Sequence, residues 1–347
     1  MSFNMILSVT YDEINESNTF TNGDCISGHV TLDVTKKTKI KSFRIKLKGK
    51  IKVQWRVACS RGIRPSSKGY DDEETLIKSV QYFVGGDLGT PLLTDHNGQP
   101  YSNTIAPGRH LFPFTFDLPQ EKMPPSFKGV HGKIVYFLEA KLTRLMRISS
   151  KDRIEFTFVP KPNPSNRVAQ DDFTDKSWTF QDGIVSNIKA GRKCHLGEGL
   201  TVTGTTQNTS SSPVRLNFRL CQVQECCAQN QHWSHDSQDV LIERSDIIGP
   251  FRTANVTEVL KIPCNIPASL LNCRLMKVEY KLWVYLEGKH SFDSIVFGVE
   301  LLPPRQQGGQ SSFSEQSRST SQASQVLHSS LLCGSPLPAD IHHLFTK

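Results

Sequence analysis

Long apolar runs are missing from this chain: none approaches the roughly 18 residues that a membrane-spanning helix requires. The opening stretch MSFNMILSVTYDEINES has neither a basic leader nor an extended apolar core, so no secretory signal is expected. A Met-Gly start for myristoylation and a C-terminal prenylation box are absent as well. Catalytic fingerprints are equally lacking, with no G-x-S-x-G, no G-x-x-x-x-G-K-[ST] and no H-E-x-x-H. GGDLG (85–89) follows an apolar run, but no helical pattern opens behind it to cradle a phosphate. Neither an enzyme nor a cofactor is therefore expected. Nine cysteines, an odd number without framework spacing, suit reduced thiols rather than a disulfide scaffold. Asn15, Asn208 and Asn255 stand in N-x-Ser/Thr triplets, which carry little weight without a secretory route. The expectation is a soluble, intracellular protein.

Acidic residues are absent from KKTKIKSFRIKLKGKIKV (36–53), where nine of eighteen residues are Lys or Arg. These nine charges exceed the net charge of the whole chain, +8, so the rest is close to neutral. A nucleic-acid binder spreads its basic residues over a footprint; here one segment holds the excess, and no nucleic-acid partner is expected. Phe43, Ile45, Leu47, Ile51 and Val53 alternate with Arg44, Lys46, Lys48, Lys50 and Lys52. A β-strand sends alternate side chains to opposite faces, so this period buries the apolar set and lines up the cations about 6.6–6.8 Å apart. A folded strand also argues against a nuclear import signal. Gly49 is expected to kink or bulge the strand and split the row. Two readings stay open. The row is an anion-binding strip for acidic or phosphorylated tails or for phosphoinositide headgroups. Or it is a solvated face, or an edge guarded by lysines against aggregation.

Read for period, nearly the whole chain is β. HVTLDV (29–34), FRIKLKGKIKV (43–53), KIVYFLEAKL (133–142), RIEFTFV (153–159), LTVTGTT (200–206), VRLNFRLCQV (214–223), VEYKLWVYLE (278–287) and IVFGVEL (295–301) alternate or run apolar between turn-forming residues. The pattern predicts β-sandwiches. Two halves repeat: GDCISGHVTLDV is echoed by GEGLTVTGTTQNTS, and PPSFKGVHGKIVYFLEAKL (124–142) by IPASLLNCRLMKVEYKLWVYL (266–286). Tyr136 and Tyr280, in matching strands, stand 144 residues apart, about the size of one domain. The expected organisation is a β-sandwich over 1–160, a Pro- and Asn-rich linker over 161–177, a second sandwich over 178–303, and a disordered Ser/Gln-rich tail over 304–347.

The segment PGRHLFPFTFDLPQEKMPPSFKGVHGKIVYFLEAKLTR (107–144) resembles the N-terminal domain of arrestins, in the form carried by arrestin domain-containing proteins, the α-arrestins. Gly108, Pro113, Phe114, Phe116, Leu118, Pro119, Ser126, Gly129, Gly132 and Tyr136 fall on that pattern. Upstream, Gly23, Gly28, Gly49 and Trp55 agree with it; downstream, NTSSSPVRLNFRLCQVQ and DSIVFGVELLP resemble strands of the second arrestin domain. The resemblance runs from about residue 5 to 303 and implies an all-β fold of two tandem arrestin-like (immunoglobulin-like) sandwiches. Without the family, the Gly, Pro and Phe positions read as packing and turn residues: they mark a fold, not a site.

Receptor-desensitising arrestins have an amphipathic helix where this chain has VGGDLGTPLLTDHNGQPYSNTIAPG (84–108), rich in loop-forming residues. They also place paired lysines by the first strand, where SVTYDEINES is acidic. Both departures favour the α-arrestin branch. Many α-arrestins bind WW domains of HECT-type ubiquitin ligases through Pro-Pro-x-Tyr. Here PPSF (124–127) and PPRQ (303–306) lack the tyrosine.

The resemblance thus implies a non-catalytic adaptor, cytoplasmic and peripheral at plasma membrane and endosomes. It would link cytoplasmic tails of membrane proteins to endocytic sorting, reaching HECT-type ligases indirectly through other arrestins and touching anionic membrane. The alternatives are a retromer-like trafficking subunit and an extracellular β-sandwich module. Cys221, Cys226, Cys227, His232 and His235 are the candidate metal ligands, but adjacent cysteines and H-x-x-H miss the usual zinc spacing, and no metal is expected.

Overall fold

The computed structural model describes residues 5–59, 66–86, 91–161, 172–180, 183–287 and 293–305. Among these residues no helix occurs. The first half contributes β1 (Met5–Tyr11), β2 (Thr19–Phe20), β3 (Cys25–Val34), β4 (Thr38–Cys59), β5 (Ser66–Val84), β6 (Thr104–Ile105), β7 (Gly108–Asp117), β8 (Phe127–Lys128), β9 (Gly132–Arg144) and β10 (Ser150–Phe158). They form two sheets, β1-β3-β7 and β2-β10-β9-β4-β5, with β6 paired to β4 and β8 to β9. In β7, Phe112, Phe114 and Phe116 all point inward and are buried, as their two-residue spacing requires. Phe112 meets Phe43 edge-on at 4.8 Å, joining the two sheets through aromatic contact. The Pro-rich segment after β7 carries the chain from the first sheet to β8 and β9 of the second.

The second half contributes β11 (Phe173–Thr179), β12 (Val185–Gly191), β13 (Lys193–His195), β14 (Gly199–Gln207), β15 (Leu216–Ala228), β16 (His232–Arg244), β17 (Thr253–Lys261), β18 (Met276–Leu286) and β19 (Ser294–Leu302). Its sheets are β11-β12-β14-β17 and β13-β19-β18-β15-β16. In β18 burial alternates from Met276 to Leu286 without a break, so one face belongs wholly to the core.

Strand β11 corrects one expectation. Phe173 already pairs with Gly191, so the sheet begins inside the segment expected to be linker, 161–177. Its side chains are mostly exposed, and an edge strand held by backbone bonds and by Trp178 Nε1 donating to Asp293 (2.7 Å) carries little apolar alternation. Of the expected tail, 304–347, residues from 306 on lie outside the described residues.

The sequence repeat has a structural counterpart. Tyr136 Oη donates to the Pro124 carbonyl at 2.6 Å, and Tyr280 Oη donates to Pro267 at 2.5 Å. Ser126 exchanges backbone and hydroxyl bonds with Phe158, receiving at its hydroxyl the Phe158 N–H (3.0 Å) while its own N–H donates to the Phe158 carbonyl (2.8 Å). Ser269 does the same with Leu301, at 2.9 and 2.8 Å. Each Pro-x-Ser corner thus fastens a crossover to the last strand of its own domain.

The two halves pack on each other within one compact unit, Met1–Arg305. The N–H of Val130 donates to Gln224 (3.1 Å), that of Gln229 to Asp72 (3.1 Å), and Arg274 reaches Glu74 (3.1 Å). Tyr70 and His232 place their rings 4.4 Å apart at the same contact.

Candidate functional site

Strand β4 carries the cationic row, and the structure places it between β9 and β5, in the middle of its sheet. It is therefore not an edge strand, and its lysines do not guard one. Phe43, Ile45, Leu47, Ile51 and Val53 are all buried, which fixes Arg44, Lys46, Lys48, Lys50 and Lys52 on the opposite face. The expected irregularity does fall at Gly49, where the pairing with β5 shifts register before Lys50, but it does not split the row. Gly49 pairs with Ile77 and Lys50 with Thr75, so the extra residue, Leu76, belongs to β5. The alternation of β4 continues across it, and the row of five stays whole. Gly49 is required for another reason: a Cβ there would stand 2.5 Å from the Tyr136 ring, which lies across the strand from it.

Four members of the row are already engaged, three of them by carboxylates. Lys46 Nζ contacts Glu139 at 2.5 Å, while Lys48 and Lys50 share Glu73 at 2.9 and 2.6 Å. Arg44 donates weakly to the Tyr82 hydroxyl at 3.4 Å. The hydrogen bond from Lys50 holds the Glu73 carboxyl below its ordinary value, Lys48 adds to this, and partial burial opposes both. Burial pushes Glu139 up, but the bond and charge of Lys46, with Lys151 and Arg153 nearby, outweigh it and keep the group ionised to lower pH. Phe137 also faces this side, yet it is buried because the Arg153 guanidinium lies 3.6 Å from its ring centre and Lys46 covers it from 5.7 Å.

Other cations on this face were missed by the sequence reading. Lys133 pairs with Lys52 across β4 and β9, Lys141 with Arg44, and Lys151 of β10 with Lys141. Lys78 of β5 lies opposite Lys48. The alternation of GKIVYFLEAKL was visible, but which of its residues stand beside which lysine depends on strand register. Among the described residues, Lys52 and Lys133 have no carboxylate within 4.0 Å, although they sit directly opposite each other. Like charges in that position repel unless an anion bridges them. The face can therefore do one kind of chemistry well: hold a carboxylate or phosphate through ammonium hydrogen bonds.

The candidate metal ligands are scattered. Cys221, Cys226 and Cys227 of β15 are buried, and burial, with hydrogen bonding to Asp239 for Cys221 and the nearby charge of Asp236 for Cys226, pushes both of those thiols up to about 12. His232 lies against the Tyr70 ring at a tilt of 38°, and His235 reaches Glu225 at 3.4 Å. No group of three or more His, Cys, Asp or Glu among the described residues is arranged to hold a metal ion. Asn208 is buried, its Nδ2 donating to the carbonyls of Ser212 (2.9 Å), Ile248 (3.2 Å) and Gly249 (2.9 Å), so the triplet at 208 serves a turn and offers no room for a glycan.

Two β-sandwiches in tandem, each closed by a Pro-x-Ser corner and a buried tyrosine, define a two-domain arrestin-like protein. The chain matches the arrestin (or S-antigen) N-terminal domain over residues 7–163 and the arrestin C-terminal domain over residues 193–296. It belongs to the arrestin family, and its relatives are α-arrestins. It is 28% identical over 278 residues to mouse arrestin domain-containing protein 4, the match covering 77% of this chain and 64% of the relative. It is 23% identical over 275 residues to the human form, with the same coverage of 77% and 64%. Human thioredoxin-interacting protein is 25% identical over 274 residues, covering 76% of this chain and 66% of that protein. The chain thus matches somewhat under two thirds of the length of these relatives.

Proposed function

We propose that this chain is a non-catalytic, cytoplasmic adaptor that captures acidic or phosphorylated cytoplasmic tails of membrane proteins and delivers them to endocytic sorting. It works peripherally at the plasma membrane and endosomes. Family membership supports the adaptor reading, and no helix among the described residues is long and apolar enough to cross a membrane. The observation that carries the site is the pairing of Lys52 with Lys133, two cations opposite each other with no carboxylate within 4.0 Å among the described residues, Glu73 opposite Lys52 on β5 being engaged by Lys48 and Lys50. An acidic segment laid across β4 would bridge them and then compete with Glu73 for Lys48 and Lys50.

Ubiquitin ligases of the HECT type would be reached through other arrestins, since PPSF and PPRQ lack the tyrosine of Pro-Pro-x-Tyr. The test is titration of the full chain with an acidic phosphopeptide, before and after Lys52→Glu with Lys133→Glu. Loss of binding at unchanged thermal stability supports the reading; equal binding by the doubly reversed chain overturns it.

A further inference from the structure

The turn between β9 and β10, residues 145–149, holds the most exposed apolar group of the described chain. Leu145 is 70% exposed, Met146 98% and Ile148 91%. Single exposed apolar residues need no explanation, but three within four positions do. Met146 has φ of 53°, a left-handed conformation rarely adopted by a long side chain, so the turn presents it outward at a conformational cost. The Thr143 and Ser149 hydroxyls meet at 3.3 Å beneath the turn and close its base.

The surroundings are cationic. Arg144 ends β9 and Arg147 belongs to the turn, Lys141 and Lys151 pair just below it, and Ile40, flanked by Lys39 and Lys41, pairs with Arg144. None of these cations has a carboxylate within 4.0 Å among the described residues, and the buried Nε of Arg144 has no hydrogen-bond partner. The single acid within 141–153 is Asp152, whose Oδ2 is taken by the N–H of Val9 at 2.8 Å. The turn also stands clear of the second domain. Gly132, at the other end of β9, lies against Cys226 and Met276, and thirteen residues of strand separate the two ends by about 40 Å.

We propose that the β9–β10 turn is a membrane-insertion tip, with Leu145, Met146 and Ile148 entering the interfacial layer of an anionic bilayer and the surrounding arginines and lysines resting on headgroup phosphates. A hairpin tip is far smaller than the roughly 800 Å² per partner of a stable protein interface. Apolar side chains ringed by cations match a negative leaflet in both properties, and membrane affinity of this kind grows with buried apolar area and with each added cation. The tip extends the peripheral-membrane reading and is separate from the acidic-tail site at the Lys133 end of the same strand.

The experiment floats the full chain with vesicles of phosphatidylcholine alone and of phosphatidylcholine with phosphatidylserine. The chain is expected on the serine-containing vesicles, and Met146→Asp with Ile148→Asp should weaken that binding by about tenfold or more. In a Met146→Trp chain, the added fluorescence over the parent should shift to the blue on these vesicles and be quenched by brominated acyl chains. Lys52→Glu with Lys133→Glu should leave that shift in place, which separates this tip from the acidic-tail site. Equal vesicle binding by the Asp pair, or an unshifted signal from the introduced tryptophan on bound vesicles, overturns insertion. So does failure to bind either vesicle. Self-association abolished by the Asp pair without vesicle binding would assign the tip to a second copy of the chain instead.

Discussion

Tyr136 donates its hydroxyl to the carbonyl of Pro124 at 2.6 Å while its ring lies buried over Gly49. Tyr280 holds Pro267 in the same way, so each domain has one buried phenol that ties a strand to the corner preceding it. Phenylalanine keeps the ring and deletes the bond, leaving a carbonyl without its partner. Tyr136→Phe and Tyr280→Phe should each lower stability by about 1–2 kcal/mol. Urea unfolding measures this, and midpoints unchanged from the parent would show that the corners hold without the bond.

The same phenols set an alkaline limit. Burial pushes Tyr280 up to about 12, against the ordinary 10.0, with the bond from Gln222 opposing it, and burial pushes Tyr136 up as well. Because the folded value lies above the unfolded one, the stability contributed by the neutral ring is complete below about pH 10 and is lost as pH rises toward 12. Buried thiols such as Cys226 add their own loss above their ordinary 9.0. The Tyr280→Phe chain should therefore lose less stability than the parent between pH 10 and 12. Parallel stability curves over that window would contradict the assignment.

Glu73 occupies two lysines at once, which makes it a competitor for any anion on β4. Glu73→Gln should tighten the binding of an acidic phosphopeptide while costing the fold about 1 kcal/mol or less, as expected for partly exposed pairs. Its carboxyl sits below the ordinary 4.5, so the stabilising charge is present above that pH and is lost as pH falls through the lower folded value. Calorimetric titration would show the tightening; weaker binding would mean that Glu73 positions the lysines rather than blocking them.

Strand β4 shows how much of this was legible beforehand. Its two-residue period fixed the fold and the face of every lysine, because burial of Phe43 through Val53 leaves the cations no other side. Its partners were not legible. Glu73 lies in the polar run of β5, where SSKGYDDEETLIK gives no apolar alternation, and the bulge at Leu76 depends on pairing between distant segments. Strand β11 escaped notice for a related reason: as an edge strand it exposes most of its side chains. Lys133 was visible as a residue but not as the neighbour of Lys52, since register is a property of two strands.

Tail chemistry gives a further expectation. In this chain the two Pro-Pro pairs continue as Ser-Phe and Arg-Gln, so the aromatic hydroxyl of Pro-Pro-x-Tyr is missing from both. Pro124 is also committed to Tyr136, and Phe127 is buried in β8. Tandem WW domains of a HECT-type ligase should therefore fail to retain the purified chain. Retention at a level comparable to a Pro-Pro-x-Tyr control would show that another segment supplies the contact.

Gly49 closes the circuit around Tyr136. A methyl group on Gly49 would stand 2.5 and 2.6 Å from ring carbons of Tyr136 and 2.8 Å from Ile77, distances no side chain tolerates. The tyrosine has little freedom to retreat, since its hydroxyl is fixed to Pro124 and its ring packs against Phe158 with centres 5.0 Å apart. Gly49→Ala should therefore destabilise the first domain by about 1–3 kcal/mol, the usual range for overpacking. If the clash with the ring is the cause, replacing the ring by a smaller side chain relieves it. The combination with Tyr136→Leu should then cost less than the two single changes added together, a coupling that a double-mutant cycle reads directly. Strict additivity would place the strain of Gly49→Ala at Ile77 and the β5 bulge instead.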